Sequence, residues 1–110
     1  MGTIVNQYDV FWVQLDPVEG NEMAKTRPCV VISPDEMNNY LNTVTIAPIT
    51  SNLKSIYWRV PVIIENQNGM VALDHIRAVS KSRLRNRMVH LQMQEIQEIK
   101  KTIRVMFVDI

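Results

Sequence analysis

Two hydrophobic periods divide this chain. From Tyr8 to Leu91 the apolar residues come in short runs rich in β-branched and aromatic side chains, punctuated by proline, glycine and asparagine. Such runs predict strands. Tyr8–Leu15 reads as the first, ended by Asp16-Pro17, because proline has no N–H to give a ladder. Residues 18–26 are polar, contain Gly20 and read as a loop. Arg27–Ser33 is the second strand, and its unbroken Cys29-Val30-Val31-Ile32 run predicts burial on both faces. Thr43–Ile49 and Trp58–Ile64 are the third and fourth, with Pro48 predicting a bulge or a sheet edge. Asn66-Gln67-Asn68-Gly69 predicts the next turn. Met70–Val79 reads as one or two short strands and Met88–Leu91 as another.

Two segments break this rhythm. Ser33-Pro34-Asp35-Glu36 offers an N-cap, a first-turn proline and an acid three residues on, which predicts a short helix ending near Asn42. After Leu91 the apolar positions fall at Met93, Ile96, Ile99, Ile103 and Met106, the spacing of an amphipathic helix packed on the sheet. Five to seven short strands with a C-terminal helix predict a mainly β protein with some α. The expected form is a small curled barrel rather than an open parallel sheet.

Composition narrows the function. The 110 residues fit one domain, 1–110. A core of that size is modest, since roughly 60–70% of the unfolded surface is buried, so completion by dimerisation is expected. A net charge of +1 excludes a strongly basic, non-specific polyanion binder. Contact with nucleic acid then requires local concentration of charge, as in Lys81, Arg83, Arg85 and Arg87. Cys29 is the only cysteine and reads as a small buried hydrophobe. It and the histidines lack zinc-ligand spacing, so neither metal nor cofactor is expected. With no signal pattern and no apolar run near the ~20 residues of a membrane span, the expectation is a soluble, cytoplasmic protein without membrane contact.

Four stretches, in order, resemble the MazF/PemK toxin family. Asp9–Asp16 followed by Pro17 is similar to the family's opening, with Tyr8 where it usually has glycine. Gly20–Pro28 carries G-x-E-x-x-K-x-R-P. Ile46–Ser51 is similar to V-x-P-[IV]-T-S. Gly69–Leu84 is similar to the long stretch around D-Q-I-R, with His75 where most relatives have glutamine. The resemblance covers about residues 8–107. It implies an SH3-like barrel, a homodimer, a cognate antitoxin and metal-independent, sequence-specific cleavage of single-stranded RNA. The products would be a 2′,3′-cyclic phosphate and a 5′-hydroxyl.

That chemistry needs a base for the 2′-hydroxyl, donors for a doubly negative phosphorane and an acid for the leaving oxygen. Arg27 suits the phosphorane, because its planar fork matches two oxygens and stays charged. Thr50, helped by Ser51, suits a non-bridging oxygen. Glu22 is the candidate base, the alternative being a salt bridge to Lys25 or Arg27. Asp74 acts directly, or orients Arg77, or holds the barrel. Candidate RNA contacts are Lys25, Tyr57, Trp58, Arg59, His75, Arg77, Lys81 and Arg83, by charge, hydrogen bonding or stacking. Trp12 reads as core. Two alternatives stand beside this reading. A CcdB-type gyrase poison shares the fold, but that class depends on a C-terminal Trp-Gly-Ile, and this chain ends Met106-Phe107-Val108-Asp109-Ile110. The other is a non-catalytic small-barrel module.

Overall fold

The computed structural model describes residues 4–15 and 25–109. Seven strands appear: β1 Asp9–Gln14, β2 Thr26–Val31, β3 Thr43–Thr50, β4 Arg59–Ile64, β5 Gln67–Ala72, β6 Arg77–Ser80 and β7 Leu84–His90. Helix α1 spans Asp35–Tyr40 and α2 spans Met93–Ile103. The sheet runs β4-β5-β3-β2-β1-β7, with β6 also paired to β3.

β3 is the hinge of this arrangement. One side pairs with β2 (Cys29↔Pro48, Val31↔Ile46). The other side pairs with β6 over Thr43–Ile46 and then with β5 over Ile49–Thr50. The change of partner curls the sheet into a half-barrel. Pro48 sits at the seam, paired with Cys29 of β2 on one side and with neither β6 nor β5 on the other. The β2–β3 register runs through it without a shift, so the proline falls at a local gap on one side of β3 and not at a bulge.

The alternation of side chains along the strands builds two cores. On one face Val10, Val30, Ala47, Ile49 and Val71 pack with Ile96 and Ile99 of α2. On the opposite face Phe11, Val13, Cys29, Val31, Ile46 and Val79 pack together. Cys29, Val30 and Val31 are all fully buried, as the unbroken run in β2 predicts. Trp12 departs from expectation. It points out of β1 at 38% exposure while its neighbours Phe11 and Val13 are at 0%.

Other differences have physical causes. The β4–β5 turn is Glu65-Asn66, both at positive φ (50° and 68°), with Ile64 paired to Gln67. Gly69 lies inside β5 instead, where a Cβ would meet Ile49 Cγ2 at 2.7 Å. The residue is small for packing and not for turning. Ser33 does not cap α1; its hydroxyl is spent on Asn38 and on the N–H of Thr45. β7 begins at Leu84, before Met88, because its Arg85-Asn86-Arg87 stretch is an exposed sheet edge that carries no apolar signal. Helix α2 ends at Ile103 and continues as a π-helical turn, Arg104–Val108, in which Met106 still reaches the core. Tyr8 adopts φ 70°, a conformation natural to the glycine usual there in the resembling family. No described helix is long and apolar enough to cross a membrane.

Candidate active site

The β2–β3 register places the first two site residues. Cys29 faces Pro48, and continuing that ladder sets Arg27 abreast of Thr50. Both then share the face that carries Cys29 and Ile46. Arg77 begins β6 opposite Ile46, so its alternation with Val79 brings it to the same mouth. A cleft of about 410 Å³ opens there, lined by Leu15, Lys25, Arg27, Pro48, Thr50, Arg59, Ala72, His75 and Arg77. Four basic side chains thus share the cleft with one threonine, and no carboxylate lines it among the described residues.

The donors are held ready. Thr50 Oγ1 accepts the N–H of Asn52 at 3.1 Å. A hydroxyl that accepts there keeps its own hydrogen for another acceptor. Arg27 is half-buried, which strengthens its field relative to a fully solvated guanidinium. Arg59 donates from Nε to Asp74 Oδ1 at 2.7 Å and from Nη2 to Asp74 Oδ2 at 3.0 Å. This fork-to-fork contact fixes the plane of the guanidinium. Ala72, paired with Arg59 across the β4–β5 ladder, is a small neighbour. His75 Nε2 lies 3.4 Å from Asp74 Oδ2, with the ring 64% exposed.

Three described ionisable groups at or near the cleft are displaced from their ordinary values, Arg59 upward, chiefly by its hydrogen bond to Asp74. Asp74 is held below the usual carboxylate range, chiefly by the hydrogen bond from Arg59. It is an anion throughout the neutral range and does not line the cleft itself. Burial pushes the Cys29 thiol up to about 12, although Arg27 and Arg77 both pull it down. The thiol is therefore no nucleophile.

Six of the residues singled out from sequence meet in one place: Lys25, Arg27, Thr50, Arg59, His75 and Arg77. Asp74 stands behind Arg59. Ser51, Tyr57 and Trp58 follow or precede these strands but do not line the cleft; Tyr57 and Trp58 stack edge to face, ring centres 4.8 Å apart. Lys81 and Arg83 lie on the 3-10 turn between β6 and β7, and Arg83 donates to the carbonyl of Gln14 at 3.2 Å. Glu22 lies outside the described residues, as does most of the Gly20–Pro28 motif. Sequence reasoning did not single out Leu15, Pro48 and Ala72 as walls, since apolar lining carries no chemical signature. It also passed over Asp9, which is 2% exposed. Asp9 accepts from the Asn6 N–H at 3.1 Å and lies 2.9 Å from His90 Nδ1. That motif aspartate ties the N-terminal turn to β7. No group of metal-ligating side chains occurs among the described residues.

The curled sheet with the helix behind it is a fold that occurs in several solved structures. The Mycobacterium tuberculosis toxin MazF-mt6 superposes with a TM-score of 0.76, at 24% identity over 90% of this chain and 95% of that one. A MazE–MazF structure from Deinococcus radiodurans gives 0.82, at 21% identity over 94% and 96%. In sequence, an Endoribonuclease MazF of Staphylococcus saprophyticus is 29% identical over 105 residues, covering 88% of this chain and 86% of that protein. The chain belongs to the family of PemK-like, MazF-like toxins of type II toxin–antitoxin systems, whose model it matches over residues 6–107.

Proposed function

We propose that this toxin is an endoribonuclease that cleaves single-stranded RNA at specific sequences by attack of the 2′-hydroxyl on the adjacent phosphate. The 2′-hydroxyl gives up its proton to the base as its oxygen bonds to phosphorus, the bond to the 5′-oxygen breaks, and that oxygen takes up a proton, leaving a 2′,3′-cyclic phosphate and a 5′-hydroxyl. The observation that carries this reading is the convergence of Lys25, Arg27, Arg59 and Arg77 around Thr50. A pentacoordinate phosphorane carries two negative charges, and side-chain cations with fixed donors supply the stabilisation it needs. Arg27 takes the equatorial oxygens, with the Thr50 hydroxyl as a second donor. Lys25 and Arg77 hold the chain's phosphates, and His75 contacts RNA at the rim. Glu22 is the base in this scheme, with Ser51 assisting Thr50.

Asp74 is assigned to aiming Arg59. A carboxylate held below its ordinary range by a guanidinium is a poor proton acceptor and holds no proton to give near neutrality. Trp58, Tyr57, Lys81 and Arg83 are assigned to more distant RNA contacts. A second copy of the chain and a cognate antitoxin are the proposed protein partners, the latter in line with the MazE–MazF complex among the similar structures.

The test is incubation of purified protein with a long, sequence-diverse single-stranded transcript in excess EDTA. The expected result is discrete fragments bearing 5′-hydroxyl ends. An intact transcript overturns the proposal, and inhibition of DNA gyrase by the same preparation would turn the reading to the gyrase-poison alternative.

A further inference from the structure

Beside the cationic cleft lies a second and larger depression, about 870 Å³, between the β4–β5 hairpin, the end of β7 and the start of α2. Arg59 lines both cavities. We propose that this groove is a base-reading subsite for nucleotides flanking the scissile phosphate, entered across Arg59. The inference rests on the ribonuclease reading and deepens it.

The chemistry of the walls separates bases from phosphates. The carboxamides of Asn66, Asn68 and Gln94 face the groove, and none is engaged in a hydrogen bond among the described residues. Asn and Gln amides present a donor and an acceptor together, which matches the edges of unstacked nucleobases. The floor includes Met70, which is buried, and Val89, which is half-buried. Both offer apolar contact to a base face. Glu65 and Glu98 stand on the walls. They repel phosphates and accept from exocyclic amines, so the sugar-phosphate chain stays at the cationic cleft while bases turn inward. The volume falls within the roughly 300–1,000 Å³ over which pockets enclose small-molecule-sized ligands.

An added β-strand does not fit the same groove. β4 is an edge strand, and its outward positions are closed to a pairing chain. Arg59 gives its N–H to Ile56 O at 2.9 Å, Pro61 has none, and Ile63 gives its N–H to Glu95 Oε2 at 2.9 Å. Glu95 is held in turn by the N–H of Gln92 on its other oxygen at 2.9 Å. The groove thus offers side-chain amides and no strand edge.

The test is transcript-wide mapping of 5′-hydroxyl ends for the wild type, Asn68→Ala, Gln94→Ala and the double variant, with Gln97→Ala, on the same helix but outside the groove, as control. Asn68, Gln94 and Gln97 are exposed, so circular dichroism should show an unchanged fold. The expected result is a preference lost by about tenfold or more at one position flanking the cut, the size of a good bidentate amide–base contact, with Gln97→Ala unchanged. An unaltered site preference in the double variant overturns the proposal. Sedimentation of the same variants provides a second check: weakened self-association without altered preference assigns the groove to a second copy and also overturns it. Failure of the wild type to cut any RNA would instead strike the ribonuclease reading itself, so the two failures are distinguishable.

Discussion

Replacing Asp74 by asparagine separates a proton-transfer role from a positioning one by magnitude. The change removes a negative charge and turns one acceptor oxygen into an NH₂ that meets Arg59's own donors. The two partners are 17% and 31% exposed, so their attraction is partly screened. Coulomb attraction at about 4 Å is roughly 4 kcal/mol at an effective dielectric near 20. Desolvation and side-chain ordering cancel most of that, leaving about 0.2–1 kcal/mol for exposed pairs and roughly 1.5–3 for hydrogen bonds to charged groups. A loss of about 1–2 kcal/mol in the hold on Arg59 lowers kcat/KM by about five- to thirtyfold. Removing a general acid or base costs about 10²–10⁴-fold. The two ranges do not overlap.

The pH dependence gives an independent reading. Arg59 lowers the Asp74 pKa below its ordinary value, which is near 3.9. The pair is therefore complete above that value and comes apart only as pH falls through the still lower folded one. Between about pH 5 and 9 it does not titrate. The assay is kcat/KM on a short oligoribonucleotide across that range, for the wild type, Asp74→Asn, Arg59→Ala and the double variant. The expected result is a uniform drop with every limb of the profile retained, and a double variant no worse than Arg59→Ala. A loss beyond about a hundredfold, with one limb of the profile gone, would refute the reasoning and make Asp74 the acid or base.

The other expectations are brief. Arg27→Ala should lower kcat by about 10²–10³-fold, the cost of removing a principal oxyanion donor, with unchanged circular dichroism; retained activity would remove it from the centre. His75→Gln should preserve the cyclic-phosphate product and shift only site preference, because the ring is largely exposed and touches Asp74 from outside; an inactive variant would show a direct role. Gly69→Ala should cost about 1–3 kcal/mol by overpacking, read by urea denaturation, because the new methyl would lie 2.7 Å from Ile49 Cγ2; unchanged stability would mean that Ile49 yields freely. Cys29, fully buried with its thiol pushed up to about 12, should resist iodoacetamide near pH 8 until the protein is unfolded, and rapid native labelling would contradict the packing.

Much of the fold is legible in the chain because its signals are local. Alternation marks β1, the unbroken apolar run marks β2, and the change of period marks α2. The misreadings arise where one residue type serves two physical ends. Gly69 invites a turn beside Asn68, yet it is small because Ile49 lies against it, and the left-handed turn falls to Glu65 and Asn66. Arg85-Asn86-Arg87 looks like loop, yet an edge strand has no need of apolar side chains on its exposed stretch. Trp12 has the composition of a core residue and the exposure of a surface one.

The site was legible in its pieces and not in its assembly. Arg27 and Thr50 stand far apart in sequence, and only the β2–β3 register sets them side by side. The link between Arg59 and Asp74 likewise depends on the β4–β5 ladder, which sets Arg59 beside Ala72, just before the turn that carries Asp74. No local pattern announces either pairing. Both pairings meet where β3 exchanges β6 for β5, and that exchange opens the mouth of the curl. Pro48 is the residue that fits there. It falls between the stretch paired with β6 and the stretch paired with β5, and it forms part of the cleft wall. The irregularity in the sheet and the location of the cations therefore have one cause. A β3 that kept a single partner along its length would carry the same side chains without gathering them around Thr50.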